Sequence, residues 1–195
     1  MHMKFALIRA RTRRSLRRFL ADKRGVSAVE FAMLLPLMVT LYLGGVEVSQ
    51  AVAADRKMTL VARTLADLTA QATNVNDSDM SNIKAAGTAV VAPFDDTKLG
   101  FTISSVVIDA QKVAKIKWSD TRNGTVRKPG DVVTVNDTLK ESSTYPIYLV
   151  WAETTYAYTP AIGYVITGTM NLTDQIYMRP RQSDCVLRTG VQTAC

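Results

Sequence analysis

The chain has 195 residues, 47% of them hydrophobic and 21% charged, a composition that is globular rather than disordered and suits one ordinary domain plus an anchor. Its net charge of +7 is concentrated in residues 1–24, where nine lysines and arginines face the single acid Asp22, while the remainder carries fifteen basic and sixteen acidic groups. The body therefore has no bulk attraction for phosphate, and no nucleic-acid partner is expected.

The basic leader, residues 1–25, directly abuts an apolar run, the position in which an excess of lysine and arginine keeps a segment on the cytoplasmic side. From Gly25 to Ala54 the only charged side chains are Glu30 and Glu47. As a helix, residues 26–48 would measure about 35 Å, enough to cross a hydrocarbon core of about 30 Å, so the lipid bilayer is the first partner the sequence names. Pro36 removes one backbone donor inside this span and predicts a helix kink there. Glu30 is a lone acid at the start of the apolar run, and a carboxylate is costly in lipid unless it is paired. Either it reaches the headgroup layer as part of an uncut anchor, or it meets a cation.

Two cuts compete. Ala51-Val52-Ala53 before Ala54 fits the small-residue pattern of a general signal peptidase, which would release a secreted envelope module binding a glycan or protein ligand. Against that cut, the apolar core exceeds the usual length of about 7 to 15 residues, and Glu47, Ser49 and Gln50 intervene. A cut between Gly25 and Val26 instead leaves the helix attached. It creates an α-amine on Val26 that packed helices can set against Glu30 of a neighbouring subunit, neutralising two charges that are each expensive in lipid.

Beyond the span, Met58, Val61, Leu65 and Leu68 recur at spacings of 3, 4 and 3, which predicts an amphipathic helix extension over residues 49–73 with Asp55, Arg56, Lys57, Arg63 and Asp67 toward water. Residues 73–78 are turn and cap formers, and a short helix over 78–91 is stopped by Pro93. Then β-branched and aromatic runs take over at 101–108, 113–118, 131–135, 147–158 and 167–178, reading as antiparallel strands. In the second run Ala114, Ile116 and Trp118 are expected on one face, with Lys115 and Lys117 on the other. Asn123-Gly124, Pro129-Gly130 and Gly163 mark turns. Tyr145, Tyr148, Trp151, Tyr156, Tyr158 and Tyr164 read as core and cross-strand packing, with a glycan surface as the alternative. The expected exported domain is residues 74–195, α+β, a long helix laid on a small antiparallel sheet.

Cys185 and Cys195 are the only cysteines. On the far side of a membrane they lie in an oxidising compartment, and a disulfide closing that short loop would stabilise the fold by about 2.8 kcal/mol; free thiols on a frayed tail are the alternative. The only histidine is His2, so the exported domain holds no Ser-His-Asp or Cys-His arrangement, no zinc-hydrolase spacing and no phosphate-cradling glycine loop. No enzyme activity, metal or cofactor is expected.

The stretch from Phe19 to Pro36, with Gly25, Glu30-Phe31 and the basic flank, resembles the start of the TadE/TadG-like minor pilins, or pseudopilins, of the tight-adherence (Flp) type IV pilus system. The resemblance is strongest over residues 17–70 and returns faintly at 113–119, 156–160 and 178–181. It implies a type IV pilin-like fold, cleavage by a prepilin peptidase after Gly25, and partnership with other pilins and the pilus assembly machinery. It further implies a single-pass inner-membrane protein with a cytoplasmic N-terminus and a periplasmic domain. Phe31, where many pilins of this group carry Tyr, and the chain length point to a minor member of the TadE or TadF kind.

Overall fold

The computed structural model describes residues 24–142, 144–163, 166–192 and 194–195. The basic leader up to residue 23 and Tyr164 lie outside the described residues. Helix α1 spans Arg24–Ala70, 47 residues, and continues without interruption through Pro36. The chain divides into two compact units, one ending at Val46 and one comprising Glu47–Cys195.

In the first unit every residue from Gly25 to Val39 is exposed, Phe31 at 60% and Met33 at 75%. A helix with apolar side chains on every face is suited to lipid, because a helix satisfies nearly all its backbone groups internally. This is the single membrane-spanning segment among the described residues, by length and composition. The Thr40 hydroxyl donates to the Pro36 carbonyl at 2.8 Å, one turn back along the helix.

In the second unit α1 becomes one-sided. Ala54, Met58, Val61, Ala62, Leu65, Ala66, Thr69 and Ala70 are fully buried. Leu68, expected in that stripe, is 36% exposed. The stripe continues instead at Thr69 and Ala70, four residues beyond Leu65 and Ala66 and on the same face of the helix. Strand β1, Asn74–Val75, follows, then helix α2, Asp77–Val91. A capping box starts α2: the Asp79 N–H donates to Asn76 Oδ1 at 2.9 Å and the Asn76 N–H to Asp79 Oδ2 at 3.2 Å. The close approach of α2 to α1 depends on Gly87, where an added Cβ would lie 2.6 Å from Leu65 Cδ2.

The sheet is formed by β2 (Leu99–Ile108), β3 (Ala114–Arg122), β4 (Val132–Val133), β5 (Ile147–Tyr158) and β6 (Met170–Met178), in the order β4-β3-β2-β5-β6. All neighbours are antiparallel. The result is the α+β, pilin-like architecture of a long apolar helix followed by a small antiparallel sheet. Of the predicted strands, β5 matches in full, and β4 is cut to two residues, although Val135 beyond it is still buried.

The sheet has two cores. Leu99, Phe101, Ile103, Val150, Ala152, Tyr156 and Tyr158 cluster with α1 and α2, whereas Val106, Ile108, Ile147, Leu149 and Trp151 cluster on the opposite face under Val135 and Leu139. Strand β3 serves both. Ser105 pairs with Trp118 but Val106 with Ile116, so Lys117 is an extra residue in β3, a bulge that reverses its side-chain parity. Trp118 thereby faces the helices while Ala114 and Ile116 join the other core, which corrects the expectation that the three share a face.

The C-terminal segment closes the helix side. Strand β7, Leu187–Arg188, pairs in parallel with β1, and Trp118 Nε1 donates to the Val186 carbonyl at 2.8 Å. Cys185, fully buried, is bonded to Cys195 across a Cα separation of 5.8 Å.

Candidate processing and assembly site

Gly25 and Val26 occupy the first turn of α1, and Glu30 the second. Val26 and Glu30 are four residues apart, hence on one face and about 6 Å apart along the axis. Both are exposed. Pro36 lies on the same helix, while Cys185 and Cys195 belong to the other unit and take no part in this face.

Gly25 is not required by the fold. Its backbone is outside the left-handed region, and a Cβ built on it meets nothing within 4 Å among the described residues. The contrast is Gly100, where a Cβ would lie 2.5 Å from Thr155 Oγ1 and 2.9 Å from the Asn123 carbonyl. Gly100 is a packing glycine, whereas no described neighbour crowds Gly25.

A second acid in the apolar run behaves differently from Glu30. Glu47 is 1% exposed, and its Oε2 accepts the Ile166 N–H at 2.9 Å, fixing the segment between β5 and β6. Burial pushes the Tyr158 phenol above its ordinary pKa, and the Glu47 charge adds to the rise. In the sequence Glu47 registers only as an interruption before a possible cut. The signal that finds it is the same one that singles out Glu30: an acid isolated among apolar residues has been placed against something.

The aromatic stretch is packed rather than open, with Trp151, Tyr156 and Tyr158 each 5% exposed or less. Trp151 stacks on Tyr177 at 5.3 Å, and the Arg127 guanidinium lies 4.1 Å above the indole while pairing with Glu153. Burial, helped by Glu153 and opposed by Arg127, pushes the Tyr177 phenol up to about 12. Among the described residues no three histidine, cysteine or carboxylate side chains are grouped as a metal site.

Comparison with known proteins returns one family. Residues 25–67 match the family described as TadE-like protein. No curated protein and no solved structure matches the chain.

Proposed function

From the premise that residues 25–67 make this chain TadE-like, we propose that it is a minor pilin, a structural, non-catalytic subunit in the assembly of a tight-adherence pilus. One observation carries the reading. The family match begins at Gly25, the residue where the apolar helix emerges from its basic flank and where the fold has no steric need of glycine.

In this reading the apolar helix crosses the inner membrane over residues 26–46 rather than 26–48, since Glu47 is buried in the second unit, residues 1–25 stay in the cytoplasm and the unit that begins at Glu47 faces the periplasm. A prepilin peptidase cuts after Gly25. The freed α-amine of Val26 on one subunit then meets Glu30 of another, and each charge removes the other's cost of entering lipid. The domain meets other pilins and the assembly machinery. Release at Ala53/Ala54 fits the fold less well, because it would remove Glu47, which holds the Ile166 segment, and Ala51, a core residue.

N-terminal sequencing and intact mass of the membrane-bound chain test this, in cells with and without a prepilin peptidase. A polypeptide starting at Val26 only where the peptidase is present supports the proposal. An intact leader in both, or a start at Ala54, sinks it. Gly25→Leu is expected to block the cut while leaving insertion intact. Glu30→Gln is expected to insert and be cut normally but to recover poorly with partner subunits, and normal recovery would remove the charge-pairing step.

A further inference from the structure

The two edges of the sheet are built differently. On the β3 side, β4 covers Ala114 and Lys115, the bulge at Lys117 interrupts the ladder, and Lys84 of α2 reaches the Thr121 carbonyl at 3.0 Å. These are the devices by which natural sheets block strand addition. Strand β6 forms the other edge. It is nine residues long, holds no proline or lysine, and pairs with β5 in unbroken register from Met170 to Met178. Such an edge is a template for another strand.

Its chemistry says which strand. Register with β5 places Leu172, Asp174, Ile176 and Met178 opposite Tyr156, Thr154, Ala152 and Val150, on the side of the helices, and all four are half-buried. The three apolar members sit at the margin of the core. Asp174 interrupts them. Among the described residues it forms no ion pair, and its carboxylate accepts only the adjacent Gln175 N–H, at 2.7 Å. An acid in a half-buried apolar stripe is stabilised by a cation delivered to the same stripe.

A second copy does not supply it. Two β6 strands paired antiparallel about their midpoint set one Asp174 against the other, a repulsive cross-strand pair. Strands β2, β3 and β5 are already paired on both sides within the sheet.

We infer that the β6 edge receives an extended segment of a different protein as an added strand. The residues of that segment facing the helices read apolar, then Lys or Arg opposite Asp174, then apolar. The inference concerns the folded sheet alone and stands whether or not the chain is cut after Gly25.

The test uses the full-length chain in detergent micelles and the labelled peptide Ile-Thr-Val-Thr-Lys-Thr-Val-Thr-Ile, with a twin carrying Glu at the centre. Fluorescence anisotropy should show the Lys peptide binding about tenfold more tightly than the Glu twin, the combined effect of gaining an attractive cross-strand pair and losing a repulsive one. Asp174→Lys should reverse the preference, and Asp174→Asn, nearly the same size, should abolish it. Hydrogen exchange should slow at the amides of residues 170–178. Equal affinity for the two peptides, no binding at about millimolar concentration, protection elsewhere in the sheet, or self-association of the chain through β6 would each overturn the inference.

Discussion

Helix α1 is one element with two surfaces. Up to Val39 it offers Phe31, Met33 and their neighbours outward on every side, whereas from Ala54 on it buries Met58, Val61 and Leu65 completely and turns Arg56 and Arg63 to water. Hydrophobicity alone does not separate the two, since both stretches are rich in apolar residues. Arrangement does. A uniform apolar surface needs no particular partner side chain, while a stripe of small and large residues has to fit a shaped one.

Truncation breaks or upholds this contrast most directly. Leu65→Ala should destabilise the second unit by about 2–5 kcal/mol, as loss of a fully buried leucine does. Leu41→Ala, on the exposed stretch, should change it by less than about 0.5 kcal/mol. Denaturant unfolding of the two variants in micelles, followed by tryptophan fluorescence, checks the pair, and equal losses would dissolve the distinction.

The end of the packed stretch is clamped by the C-terminal segment. The Arg181 N–H donates to the Ala70 carbonyl at 2.9 Å, and its guanidinium lies 2.5 Å from the Asp67 carboxylate, off the hydrogen-bonding line. Reducing the Cys185–Cys195 bond should therefore cost at most about 3 kcal/mol and speed hydrogen exchange first near Ala70. Exchange that quickens at Gly25 to Val39 instead would contradict the division of the helix.

A smaller loss is expected from Glu47→Ala, which leaves the Ile166 N–H without its acceptor, about 1–3 kcal/mol. Glu47→Gln, which keeps an oxygen in place, should lose less. Proteolysis within residues 159–169 reads the difference. The smallest effect belongs to a site remote from both stretches. Backbone N–H donation from Val113, with Lys115 assisting against desolvation, holds the Asp109 carboxyl below its usual range. Its folded-state pKa is lower than the unfolded one, so its contribution is present above about pH 4 and lost as the pH falls further. Asp109→Asn should be slightly less stable than the parent near neutrality, and an acid titration should show the two converging as the pH falls below about 4.

The sequence made the apolar helix, its shorter successor and β5 legible because each rests on local signals: uniform hydropathy, the turn and cap formers of residues 73–78 with Pro93 as a stop, and a run of β-branched and aromatic residues. The bulge was hidden, since Ala114, Ile116 and Trp118 alternate perfectly on paper and only the pairing of β3 with β2 reveals the extra Lys117. The pairing of β1 with β7 was hidden for another reason. Two residues carry little periodicity, and their partners lie at the far end of the chain. Gly25, Glu30 and Pro36 could be picked out from charge and residue type, but Glu47 could not be ranked with them until its contact with Ile166 was seen.

The inserted lysine in β3 splits the loyalty of one strand. Its far end packs Trp118 among the residues on the helix side, while its start packs Ala114 and Ile116 with Leu149 on the other. Nine residues are thereby shared between two cores, where simple alternation would have committed all three side chains to one.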